Sequence, residues 1–184
     1  MNSFYSLKEI ENFCHQSPTG QYSLVIDTMI LAPFLIGLYD KNYLAQCSLT
    51  AGKYTSEDFE LTTKILKYFR PEIIVTPNII TELYNLTDNK IVGQKFSDYF
   101  LSVIRHLRNY QEHYTELKKI CGVDFNFKLL TKFGFADMSI IEAAKEMKAV
   151  ILTDERPLYD MFFKSIPIIK FSHIKTESLQ ALLP

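Results

Sequence analysis

Three short apolar runs constrain this chain more than any other feature, because each is too short for a helix and stops abruptly at a polar residue or a proline. Ser23-Leu24-Val25-Ile26 ends at Asp27, Ile73-Ile74-Val75 lies between Pro71 and Pro77, and Ala149-Val150-Ile151-Leu152-Thr153 ends at Asp154-Glu155. Runs this short and this rich in β-branched residues read as strands buried on both faces. Stretches with helical signals alternate with them. Ser56, Glu57 and Asp58 read as a cap with acids in the first turn, and Leu61, Ile65, Leu66 and Phe69 form the stripe of a helix that Pro71 ends. Pro77 suits the first turn of a helix carrying Ile80, Leu83 and Tyr84. Between Val92 and Tyr110, residues Phe96, Tyr99, Phe100, Val103, Ile104 and Leu107 recur at three and four, the spacing of a helix face packed on a core. Gly134-Phe135-Ala136-Asp137 opens another helix, with Ile140, Ile141, Ala143, Ala144 and Met147, and a last strand is predicted from Ile166 to Phe171.

Strand and helix signals in this order predict an α/β fold, a three-layer α/β/α domain with a mostly parallel central sheet. Residues 1–22 hold an amphipathic segment, Phe4 to Phe13, and the breaker stretch Ser17-Pro18-Thr19-Gly20, and read as an N-terminal extension; 23–184 form the domain. Residues 38–56 are mixed and polar, with no element predicted.

The length of 184 residues suits one well-buried domain, and 47% hydrophobic with 22% charged residues excludes disorder as the main state. Lys+Arg total 20 and Asp+Glu total 21. No global positive field therefore holds nucleic acid, and an anionic substrate must be met by local lysines or by bound metal. Cys14, Cys47 and Cys121 are far apart and include no CxxC, so neither a disulfide framework nor a thiolate metal site is expected, and a reducing interior is. The opening MNSFYSLKEIENF mixes acidic and apolar groups, unlike a secretory signal, and the apolar run Met29 to Leu38 contains Pro33 and is too short to cross a bilayer. A cytoplasmic protein with no membrane partner is the expectation.

In a parallel sheet, strand C-termini and the following helix N-termini lie along one edge. Asp27 and Asp154 end apolar strands and Asp137 begins a helix beside a glycine, so the three can converge despite their distance in sequence; Glu82, five residues after Pro77, can join them. Clustered carboxylates repel unless a cation neutralises them, and an all-oxygen site suits Mg²⁺ or Mn²⁺. The competing reading is of unrelated caps and surface acids, with Asp27 an ordinary helix N-cap. His15, His106, His113 and His173 have no metal-ligand spacing with one another or with a cysteine.

The pieces VIDTMIL at 25–31, TPNIITEL at 76–83, GFADMSIIEAA at 134–144 and VILTDERPL at 150–158 together resemble the PIN-domain nucleases, a family of toxin-type ribonucleases and RNA-processing endonucleases. The resemblance implies that Asp27, Glu82 and Asp137 serve metal-dependent phosphodiester hydrolysis of single-stranded RNA, with Glu82 helping to orient the attacking hydroxide. It puts a fourth acid two positions after a Thr, which is Glu155, whereas Asp154 directly follows Thr153 and ends the strand with a shorter carboxylate. Register favours Glu155, but Asp154 is preferred as the fourth acid because its shorter carboxylate ends the strand; Asp160 is a third choice. Thr28 and Thr153 are either hydroxyls supporting the ligands or strand-end caps. Arg156 either meets phosphate or pairs with Glu155, and Lys128 and Lys132 are further phosphate candidates. The resemblance also implies a small antitoxin protein and a homodimer as partners. The alternative is a catalytically weak PIN-like RNA- or protein-binding module. An α/β phosphatase ranks last, because Asp27 is followed by Thr28 and Met29 instead of DxD. Tyr159, Phe162 and Phe163 either pack internally or form an interface.

Overall fold

A computed structural model describes residues 3–16, 22–121 and 127–180. The breaker stretch at 17–20 and Phe125 lie outside them. The three predicted strands are β2 (Leu24–Ile26), β3 (Ile73–Val75) and β5 (Val150–Thr153), and every residue in them is buried. β6 is Ile168–Lys170, shorter than predicted because Phe171 already opens a helix. Two strands of two residues, β1 (Ser3–Phe4) and β4 (Gln111–Glu112), complete the sheet and are too short for any periodicity to mark them.

Among the described residues the sheet is parallel throughout, in the order β1-β6-β5-β2-β3-β4, and the architecture is the three-layer α/β/α one. Val25 of β2 stands opposite Ile74 on one side and Ile151 on the other. The chain leaves β2 towards β3 and β4, and later returns to place β5 on the opposite side of β2. That reversal opens a crevice beyond the C-terminal end of β2, the usual ligand position in an open α/β sheet.

The helices follow from the same patterns. α1 is Leu7–His15 and α2 is Thr28–Tyr39. The apolar run with Pro33 becomes α2, buried on nearly all sides among α3 (Ser56–Phe69), α4 (Pro77–Asp88) and α5 (Gln94–Leu107). A Cβ added at Gly37 would sit 2.5 Å from the Phe59 ring, so glycine lets α2 and α3 approach. The cap of α3 is Thr55, one residue before the Ser56 predicted: its hydroxyl accepts from the Asp58 amide while Asp58 accepts from the Thr55 amide. Residues 38–56, unassigned from sequence, include a 3₁₀ turn at Lys41–Ala45.

α6 is Leu117–Ile120, α8 is Arg156–Phe162 and α9 is Phe171–Gln180. Between them, α7 spans Phe127–Met147 and is two helical segments joined at Gly134, whose φ of 78° and ψ of −179° restart the helix at the point the sequence marked. α7 packs on β2 and β5. The N-terminal segment, read as an extension, contributes an edge strand to the same sheet and buries Phe4 and Ile10 completely. Phe34 and Phe69 are also fully buried, each stabilising the core by about 1.5–3 kcal/mol. Tyr159 and Phe162 are buried and so pack internally, whereas Phe163 is half-buried. Among the described residues no helix is long and apolar enough to cross a membrane.

Candidate active site

The crevice at the sheet reversal is an open cleft of about 520 Å³, and its walls carry Asp27, Glu82, Asp137, Asp154 and Glu155. Each acid has its own place in the fold. Asp27 follows β2 and caps α2: its Oδ1 accepts from the Met29 amide at 3.2 Å, its Oδ2 from the Thr153 hydroxyl at 2.5 Å, and its own amide donates to the Leu152 carbonyl. The capping and the clustered-acid readings are therefore both true of this residue. Glu82 lies in the second turn of α4, and its Oε2 accepts from the Thr28 hydroxyl at 2.6 Å. Thr28 and Thr153 thus each donate to an acid of the cleft, and Thr153 also caps the turn after β5 by accepting from the Glu155 amide at 2.9 Å.

Asp137 stands three residues after Gly134 in the restarted helix. A buried pair of hydroxyls, Thr76 and Ser139, meets at 2.8 Å and ties the start of α4 to this helix. The Asn78 amide reinforces the tie by donating to the Phe135 carbonyl at 3.1 Å. These contacts put Asp137 across from Glu82. Sequence reasoning misses Thr76, Asn78 and Ser139 as supports; the one signal available is Thr76 as the cap of the helix beginning at Pro77.

Asp154 and Glu155 both line the cleft but have different partners. Asp154 is exposed, and its Oδ1 accepts from the Ser172 amide at 2.9 Å, which directs the carboxylate towards the start of α9. Glu155, in contrast, stands close enough to Asp137 to push its carboxyl up. Asp160, the third choice, is exposed and accepts from Arg156 at 3.3 Å, so the pair that Arg156 makes is along α8 and not with Glu155, one of its two alternatives from sequence. Lys132 lies on an adjoining wall and Lys128 is exposed. Lys118 and Lys119 pair with Glu116 and Glu146, away from the acids.

Burial and like charge make these carboxyls reluctant to ionise. Asp27 is 3% exposed, and burial pushes its carboxyl up to about 6 against the opposing pull of Thr153 and the Met29 amide. Burial also pushes Asp137 up, to about 8, with the Glu155 hydrogen bond and the charges of Glu155, Asp27 and Glu82 adding to it. Among the described residues no three His, Cys, Asp or Glu side chains already form a closed metal-holding group. The donor chemistry nevertheless fits a hard divalent cation: oxygen ligands only, mutually repelling, with acceptor capacity left on each carboxylate after its hydroxyl or amide partner is counted. The rotatable bonds of Glu82 and Glu155 give those two side chains the reach to close on an ion.

Other nucleophile chemistry finds no footing in this cleft. Cys14 and Cys47 are buried free thiols elsewhere, and burial pushes Cys14 up to about 11. No family model matches the chain and no curated protein matches its sequence, so the chemistry of the cleft is read from its own side chains.

Proposed function

We propose that this protein is a divalent-metal-dependent endoribonuclease that hydrolyses phosphodiester bonds in single-stranded RNA. The observation that carries the reading is the convergence of Asp27, Glu82, Asp137 and Glu155 on one cleft, with two of the four held above the ordinary carboxylate range by burial and by one another. Such a cluster is costly without a cation, and costly polar burial at a strand-end crevice is the mark of a site. The resemblance of the four sequence pieces to PIN-domain nucleases supports the same reaction and the RNA substrate.

In this proposal Asp27, Asp137 and Glu155 would hold Mg²⁺ or Mn²⁺, and Glu82 would do so directly or through water. The ion, when bound, lowers the pKa of a coordinated water and neutralises charge growing on the phosphoryl oxygens. Thr153 and Thr28 fix the carboxylates of Asp27 and Glu82, so that little reorganisation is needed as a substrate enters. Glu82 orients the attacking water. Water adds to phosphorus as the bond to the leaving oxygen breaks, the water's proton passes to a carboxylate of the cluster, and the leaving oxygen takes up a proton from solvent. In this proposal Glu155 takes the fourth place ahead of Asp154, because Glu155 adjoins Asp137 while one oxygen of Asp154 accepts from the Ser172 amide. A toxin's place beside a small antitoxin, and a homodimer, are extensions of the same proposal that rest on the resemblance alone.

The second reading, a catalytically weak RNA- or protein-binding module, draws on the spread of the carboxylates around the cleft. Incubation of end-labelled, mixed-sequence single-stranded RNA with purified protein in Mg²⁺, Mn²⁺ or EDTA separates the two. Cleavage is expected in either metal, absent in EDTA, and abolished in Asp27→Asn and Asp137→Asn proteins that keep the wild-type circular dichroism. RNA bound but left intact in every metal would instead establish the binding module.

A further inference from the structure

The acidic cleft does not stand alone: two further clefts adjoin it, and their chemistry differs. On one side, through the shared wall of Glu82, Phe133 and Ala136, lies a cleft of about 390 Å³ whose polar groups include the neutral side chains of Asn78, Thr81 and Asn85. On the other, through Arg156, lies one of about 680 Å³ that gathers Lys132, Arg156 and Lys164 beside Asp160. The Lys132 ammonium stands 4.9 Å from the centre of the Phe133 ring and that of Lys164 5.8 Å from the Phe163 ring, so aromatic surface adjoins positive charge. The Arg156 and Asp160 side chains are 81% and 56% exposed, and a pair so open to water is easily exchanged for another anion.

A phosphodiester strand laid through these clefts meets opposite conditions on its two sides. The carboxylates repel its backbone, the neutral arm offers amides and hydroxyls, and only the basic arm attracts phosphate directly. We propose that the basic cleft of Lys132, Arg156 and Lys164 is the anchoring subsite for a backbone phosphate flanking the scissile one, so that the strand is gripped on one side of the cut alone. This rests on the nuclease reading for the position of the cut, but the binding it describes is measurable without cleavage.

The test uses Asp27→Asn protein in Mg²⁺ and a fluorescently labelled single-stranded RNA of about 12 nucleotides, a length within the usual site sizes of strand-binding grooves. Combining Lys132→Gln with Lys164→Gln is expected to weaken anisotropy-measured binding by about tenfold or more, and to reduce the slope of log K against log salt by about 0.7 for each lost phosphate contact. The single Lys132→Gln and Lys164→Gln proteins carry the test should the double variant not fold. Lys67→Gln on α3, outside all three clefts, is expected to leave affinity unchanged. In wild-type protein, the lysine substitutions should raise KM more than they lower kcat, and cleavage sites should keep a minimum distance from one end of the RNA and not from the other. Undiminished affinity, or cuts placed without regard to either end, would overturn the anchor while leaving the nuclease reading intact. Weakened binding by a protein that cleaves in no metal would keep the anchor and overturn hydrolysis. A wild-type protein that binds no strand overturns both.

Discussion

Two adjacent acids after β5 differ in what they do, and the difference is one of partners. Asp154 satisfies the Ser172 amide, while Glu155 is the neighbour that pushes the Asp137 carboxyl up. Glu155→Gln is therefore expected to lower kcat about 100-fold or more, whereas Asp154→Asn, which keeps an oxygen for Ser172, should stay within about threefold of wild type. Initial rates of RNA cleavage at saturating Mn²⁺ check both. The raised carboxyls also give the metal-free protein a characteristic pH response. Asp27 and Asp137 hold protons that the unfolded chain has lost above about pH 4. The folded state therefore binds more protons, and this stabilisation is complete below that pH and is lost as the pH rises through about 6 for Asp27 and about 8 for Asp137. The shift at Asp27 corresponds to on the order of 3 kcal/mol. Thermal unfolding in EDTA should show Asp27→Asn and Asp137→Asn proteins gaining on wild type between pH 4 and pH 8, values taken from about the ordinary and the raised carboxyl ranges. A constant difference in Tm across that range would refute the electrostatic account of the cluster.

At the scale of elements, the restart of α7 decides where Asp137 stands. A methyl group added at Gly134 would meet open space, yet the backbone there, at φ 78° and ψ −179°, is a conformation that an L-residue adopts only under strain. Gly134→Ala is expected to cost about 1–3 kcal/mol in urea unfolding and to reduce kcat, because relief of the strain moves the first turn that carries Asp137. An alanine protein with wild-type stability would mean that the turn has another accessible geometry. This restart is legible in the sequence as a glycine followed by an acid and an apolar-alanine stripe. The helical turns before it are not, since Phe127 to Phe133 shows no face distinct enough to separate helix from loop.

For the whole molecule, the sheet reversal between β5 and β3 around β2 makes the cleft, and the first residues of the chain help to close the sheet that holds it. Phe4, fully buried at the β1 edge beside β6, should cost about 3–5 kcal/mol when replaced by alanine, measured as the change in urea midpoint at constant slope. A cost near zero would make the segment an appendage after all. The prediction matters because the sequence offers little sign of this role: a two-residue strand carries no alternation, and its partner lies more than a hundred residues away.

By itself the sequence determined the α/β class, the three central strands and the ends at which their apolar character stops, because burial on both faces demands continuous apolar runs and a polar residue must follow where the sheet meets water. It also named Asp27, Glu82 and Asp137 as one group. Only the tertiary structure decided that Asp154, on the wall of the same cleft, accepts from the Ser172 amide while Glu155 stands beside Asp137, that Thr153 and Thr28 hold Asp27 and Glu82, and that a basic cleft adjoins the acids through Arg156. Side-chain direction after a strand end depends on the next turn and on which distant amide stands within reach, here that of Ser172, and no local pattern encodes a partner supplied by another element.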